Sequence, residues 1–229
     1  MSNICMIAHR GYSAKYPDNT ALAFEKAAEN GSGGAETDVR ITKDGVFVAC
    51  HNEEAKFFDG TELPVSESTF EELTAKPLFN EKSNDTVYLC TFREYLEIMK
   101  KNNMVCFIEL KGSYTDEQVK AVFDLAADTY DLSKCILQSF DFDNLIKCRE
   151  MFPDLPLMYT YSTNMGSYEC CFEHGIAIDA DRIVITQDMV DEFHAHGLEV
   201  GVWTVNTPDE LERISALGVN YIESDCFGG

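Results

Sequence analysis

Basic residues are scarce in this chain: 18 Lys and Arg stand against 40 Asp and Glu in 229 residues, a formal net charge of -22. A field of that sign repels nucleic acid and anionic membrane surfaces. It also repels small anions, so a site that handles one must reverse the sign locally with a metal ion, an Arg or a Lys. The nine cysteines include no Cys-x-x-Cys pair, which removes the common zinc and dithiol arrangements. Their odd number, and the placing of Cys5, Cys106 and Cys135 in apolar strand-like runs, point to buried reduced thiols and a cytoplasmic protein. No apolar run approaches transmembrane length, and the N-terminus has neither a basic n-region nor a long apolar h-region, so no membrane anchor or leader is expected. Tryptophan occurs once, at Trp203.

What is present reads as one α/β domain over residues 1–229, with 45% hydrophobic and 25% charged residues, ordinary for a globular chain. Short apolar runs alternate with helix-period stretches, the mark of repeated βα units on a parallel sheet. Strands are predicted near 4–9, 35–41, 104–110, 134–139, 156–160, 176–179, 198–203 and 219–224, eight in all, which is the (β/α)8 TIM barrel number. Lys43-Asp44-Gly45 is a hairpin signal that folds 46–50 back on the second strand and lifts His51 to the rim. Thr91 with Glu94, Thr115 with Gln118, and Thr207-Pro208 with Glu210 read as capping boxes at helix starts. Residues 52–90 break the rhythm and suggest a small insertion capping the barrel mouth. Within it, Phe57 and Phe58 either line a pocket or anchor the insertion to the barrel.

Glu36 and Asp38 stand two apart on a predicted strand, so their side chains share a face. Read alone, that spacing also fits a solvated face paired with Arg40 and Lys43. His9-Arg10-Gly11 ends the first strand, His51-Asn52 follows the hairpin, and Ile108-Glu109-Leu110-Lys111 repeats the alternation. Two imidazoles, three carboxylates, an Arg and a Lys thus gather at strand ends, where barrel enzymes keep their chemistry. The other histidines do not join them: His194 and His196 diverge on a helical pattern and His174 precedes Gly175 at a helix end.

These residues resemble the glycerophosphodiester phosphodiesterase family. Its signature runs His-Arg-Gly, Pro-Glu-Asn-Thr, Glu-x-Asp-Val, Thr-x-Asp-Gly and His-Asp. Here the segments are His9-Arg10-Gly11, Pro17-Asp18-Asn19-Thr20, Glu36-Thr37-Asp38-Val39, Thr42-Lys43-Asp44-Gly45 and His51-Asn52. Ile108 to Lys111, Gln138-Ser139-Phe140-Asp141, Val202 to Asn206 and Gly218 to Asp225 continue the match. Asp18 and Asn52 depart from the pattern, and Asn52 takes a negative charge from the edge of the site.

Three carboxylates without His-x-His or Cys partners favour a hard cation, Mg2+ or Ca2+, with Glu36, Asp38 and Glu109 as ligands. Arg10 and Lys111 would donate to the phosphate oxygens, and His9 and His51 suit acid/base work near neutral pH. Trp203 ends a strand and either walls a glycerol pocket or caps the core. The resemblance implies hydrolysis of a small glycerophosphodiester to an alcohol and glycerol 3-phosphate, one histidine activating the attacking oxygen and the other protonating the leaving alkoxide. A related phosphodiesterase acting on lysophospholipid or another diester is the alternative within the chemistry. A silent phosphodiester-binding barrel is the alternative outside it. The sequence carries no signal for oligomeric state.

Overall fold

The computed structural model describes residues 4–228. The chain opens with β1 (Cys5–Ala8), α1 (Ala21–Glu29) and β2 (Gly34–Ile41), which turns back into the short β3 (Phe47–Ala49). A small hairpin, β4 (Glu54–Lys56) and β5 (Glu62–Pro64), and α2 (Phe70–Thr74) follow. From there helix and strand alternate: α3 (Phe92–Asn102), β6 (Val105–Leu110), α4 (Asp116–Thr129), β7 (Cys135–Ser139), α5 (Phe142–Met151), β8 (Leu157–Tyr161), α6 (Cys170–His174), β9 (Ala177–Asp181), α7 (Gln187–Ala195), β10 (Val200–Trp203), α8 (Pro208–Ala216) and β11 (Tyr221–Ser224).

β1, β2 and β6 to β11 pair in parallel, and β1 meets both β2 and β11, so the eight strands close into a (β/α)8 barrel. β3 runs antiparallel on β2 through the turn in which Thr42 N–H bonds Val46 O. Strand starts fall one or two residues inside the predicted ones where the preceding helix uses the residue. Leu198 N–H, for example, bonds Phe193 O to finish α7 before β10 begins.

The main core lies between barrel and helices. Tyr95 stacks on Phe92 and meets Phe24 edge-on, and Tyr95 Oη donates to Ala35 O (2.7 Å). Inside the barrel, Ile7, Phe107, Ile136, Met158 and Ala177 form a separate apolar plug near the strand starts. That plug leaves the C-terminal half of the interior to polar side chains. Thr91 and Thr115 close reciprocal boxes with Glu94 and Gln118. Thr207 corrects the sequence reading: it accepts from Glu210 N–H, but the Glu210 carboxylate accepts from Asn206 N–H and Arg182 Nε instead of closing the box.

Phe57 is buried in a satellite cluster with Val48, Ala55, Val65, Leu73 and Leu89, whereas Phe58 is exposed. The anchoring reading therefore holds for Phe57. All nine cysteines are free thiols, and Cys5 is only partly buried. No helix among the described residues is long and apolar enough to cross a membrane.

Candidate active site

Strand alternation and parallel register assemble the site. Asp38 on β2 sits beside Glu109 on β6, which sits beside Gln138 on β7, all on the inner face. Glu36, Asp38 and Glu109 are buried, and each offers an oxygen within 4.8 Å of the others. Arg40 and Lys43 do not pair with them, so the solvated-face reading fails. Their partners are Arg10 and Lys111: Arg10 Nε lies 3.2 Å from Asp38 Oδ2, and Lys111 Nζ lies 3.0 Å from Asp38 Oδ1 and 2.6 Å from Glu109 Oε1.

The loop after β1 is shaped for this contact. Arg10 and Asn19 both adopt left-handed backbone (φ 58° and 56°), a strained choice for Arg that orients its N–H toward Glu36 Oε2 at 2.9 Å. Gly11 makes the turn possible, because a Cβ there would stand 2.6 Å from the Ala23 carbonyl carbon. Asn19 clamps the β2 acid: its Nδ2 donates to Asp38 Oδ2 (2.6 Å) and its Oδ1 accepts from Asp38 N–H and Thr37 Oγ1. Thr20, next in the chain, caps α1 by accepting from Ala23 N–H.

Burial and crowding divide the carboxyls. Burial raises the Glu36 pKa far above the usual carboxylate range, and the charges of Asp38, Glu223 and Glu109 add to it. Glu109 is pushed up to about 7 by burial, against the pull of Lys111. For Asp38, Lys111 and Arg10 outweigh burial and keep its pKa below normal. Arg10 and Lys111 stay charged, since these carboxylates more than offset desolvation.

The two histidines flank the cluster in different settings. His9 Nδ1 is 2.7 Å from Asp225 Oδ1, an acid also held by Ser13 Oγ (3.0 Å) and Asn206 Nδ2 (2.6 Å). Burial works against the Asp225 charge, but these hydrogen bonds bring its pKa down to about 2. The other ring nitrogen of His9 is left for the interior, where His9, Glu36 and Glu223 place one ligand atom each within 4.8 Å. His51 Nδ1 meets the neutral Asn52 Oδ1 at 3.0 Å, and Arg40 fixes the His51 carbonyl (2.8 Å). Burial lowers the His51 pKa, with Asp38 acting in the opposite direction.

Trp203 is partly buried, its Nε1 donating to Asp179 O (3.0 Å) and its ring packed edge-on against Phe140 at 5.6 Å. Lys111 Nζ lies 5.7 Å from the Phe140 ring centre, so Trp203 joins the cluster through Phe140. Open clefts border both histidines: one of about 500 Å³ is lined by His9, Arg10, Asp18 and Lys82, and one of about 370 Å³ by Arg40, His51, Asn52 and Glu53. His194 is exposed on α7, His196 is exposed just past its end, and His174 ends α6, all away from the cluster.

The glycerophosphoryl diester phosphodiesterase family profile matches residues 9–227, nearly the whole chain and the full set of site residues. The chain belongs to this family. It is therefore a phosphodiesterase barrel, and the relatives match it over almost its whole length. A glycerophosphodiester phosphodiesterase of Caldanaerobacter subterraneus subsp. tengcongensis is 28% identical over 228 residues, covering 96% of this chain and 93% of the relative. Glycerophosphodiester phosphodiesterase 1 of Bos taurus is 29% identical over 261 residues, covering 96% and 77%. The barrel superposes on a crystal structure of a glycerophosphoryl diester phosphodiesterase homologue from Silicibacter pomeroyi with a TM-score of 0.88 at 25% identity, covering 99% of this chain and 91% of that one. An Oleispira antarctica phosphodiesterase, solved with the product sn-glycerol-3-phosphate, has the same fold at a TM-score of 0.85 and 21% identity, covering 96% and 92%.

Asn19, Gln138, Asn206, Glu223 and Asp225 stand within the sequence motifs with no role read from them, and Asp179 lies outside those motifs. The available signal was position: Glu223 interrupts Tyr221-Ile222-Glu223-Ser224 and Asp179 interrupts Ala177-Ile178-Asp179-Ala180, each a charge inside a buried strand.

Proposed function

We propose that this phosphodiesterase hydrolyses small glycerophosphodiesters to an alcohol and glycerol 3-phosphate in a reaction that depends on Mg2+ or Ca2+. The observation that carries the reading is the charge balance of the cluster. Three buried carboxylates face two cations, and Glu36 Oε1 is buried without a hydrogen-bond donor. An oxygen-only donor set with excess negative charge and an orphaned acceptor fits a hard divalent ion, held by Glu36, Asp38 and Glu109. Such an ion, when bound, neutralises the phosphodiester and orients it.

The remaining work falls to the protein. Arg10 and Lys111 reverse the negative field at the mouth and donate to the non-bridging oxygens as charge builds there. His9, held through Nδ1 by Asp225, takes the proton of the attacking oxygen at its other nitrogen. His51, on the opposite side, returns a proton to the leaving alkoxide. Trp203 and Phe140 offer an apolar wall for the glycerol, and residues 52–90 cap the mouth. The free thiols support a cytoplasmic setting.

The test is near-isosteric removal of ligand charge. Glu36→Gln, Asp38→Asn and Glu109→Gln should each weaken divalent binding and activity while circular dichroism stays unchanged. Unaltered metal affinity in all three variants would overturn the ligand set.

A further inference from the structure

Beside the proposed ligands lies a second group of buried oxygens that the reaction does not use. Asp179 on β9 and Glu223 on β11 are buried and face each other, and apart from a proton shared between them neither Asp179 oxygen nor Glu223 Oε1 has a hydrogen-bond donor. Gln138 Oε1 and Thr160 Oγ1, from β7 and β8, are buried and unpartnered as well. Thr160 is the register neighbour of Asp179. Gly201 on β10, between β9 and β11, lets these groups meet: a Cβ there would stand 2.6 Å from Asp179 Oδ1, so the missing side chain is the space through which Asp179 reaches toward Glu223. Glu223 in turn places an oxygen within 4.8 Å of one from Glu36, so the two groups adjoin. The apolar plug of Ile7, Phe107, Ile136 and Met158 fills the other end of the barrel and offers no donor from below.

We propose that Asp179, Glu223 and the amide oxygen of Gln138 form a second cation site, adjoining Glu36–Asp38–Glu109, and that it takes Ca2+ in preference to Mg2+. Charge and chemistry both support it. Five carboxylates (Glu36, Asp38, Glu109, Asp179, Glu223) are buried in one interior with only Arg10 and Lys111 to oppose them. With the first cation of the proposed reaction bound, on which this inference rests, full ionisation of all five would leave one negative charge, and the substrate's phosphodiester adds another. A second divalent ion brings the loaded interior to neutrality, whereas buried charge left unopposed is expensive. The donors are carboxylate, amide and hydroxyl oxygens, the hard set that Ca2+ accepts without retained water. Mg2+ sheds its water reluctantly and fits an enclosed all-protein cage poorly. Without an ion the pair must hold a proton, since burial and mutual repulsion raise both acids well above the carboxylate range. Ca2+ would displace that proton.

Chelator-stripped protein titrated calorimetrically with CaCl2 decides the matter. Wild type should bind two equivalents and Asp179→Asn or Glu223→Gln one, with affinity for the lost equivalent weakened about tenfold or more. In buffers of different ionisation enthalpy, the second equivalent in wild type should release a proton. A single equivalent in wild type would overturn the second site and leave the pair as a proton-sharing dyad. No binding at all would overturn the first site with it. The wild-type stoichiometry needs no variant to fold.

Discussion

The metal-free protein should lose stability as pH rises, and Glu109 sets the size of the effect. Burial moves its pKa from an ordinary 4.5 to about 7 in the folded state. Below pH 4.5 the group is protonated in both the folded and unfolded chain, and its contribution to folding is fully present. Between about 4.5 and 7 the unfolded chain ionises while the folded one holds its proton, so that contribution is lost as pH rises through 7. The gap of about 2.5 pKa units corresponds to about 3 kcal/mol. For a chain of this length that is roughly 6 to 12 °C in Tm. Glu36, Asp179 and Glu223 shift in the same direction and extend the loss, while Asp38 and Asp225 are lowered and titrate below this window. Calorimetric melts in chelator from pH 5 to 8 would measure it, with Glu109→Gln as the control for general surface charge. The wild-type Tm should fall more steeply than the variant's, and Ca2+ at pH 8 should restore it. Parallel curves for the two proteins would refute the reasoning.

Three further outcomes follow from the flanks of the site. His51→Ala should lose on the order of a hundredfold on glycerophosphocholine but far less on a p-nitrophenyl phosphodiester, whose leaving group departs without a proton, whereas His9→Ala should depress both. The reverse pattern would exchange the two roles. Asn52→Asp should raise the His51 pKa and move the alkaline-side activity limb, where the acid loses its proton, to higher pH, because a carboxylate would replace a neutral amide 3.0 Å from the ring; an unmoved profile would place residue 52 outside the electrostatic reach of the reaction. Tyr95→Phe should cost about 1 to 2 kcal/mol in a urea melt without touching kcat, by stripping a buried carbonyl of its donor.

The barrel was legible because its signals are local. Alternating apolar runs, the Lys43-Asp44-Gly45 turn and the threonine caps each act within a few residues, and Glu36 with Asp38 shows its shared face through a spacing of two. What the chain order hides is contact made by closure. His9 and Asp225 are 216 residues apart, and they meet because β1 pairs with β11. Asp179 and Glu223 belong to the same class, since their meeting depends on the absent side chain of Gly201 on the strand between them. Phe57 and Phe58 look alike in sequence, and only the packing of Ala55, Val65 and Leu73 decides which one turns inward.

The central claim is metal-dependent cleavage of a glycerophosphodiester, and 31P NMR of sn-glycero-3-phosphocholine incubated with the chelator-stripped protein tests it most directly. The diester resonance should persist until Mg2+ or Ca2+ is added and then give way to that of sn-glycerol 3-phosphate. Full turnover in chelator, or an unchanged diester after either ion is supplied, would contradict the account.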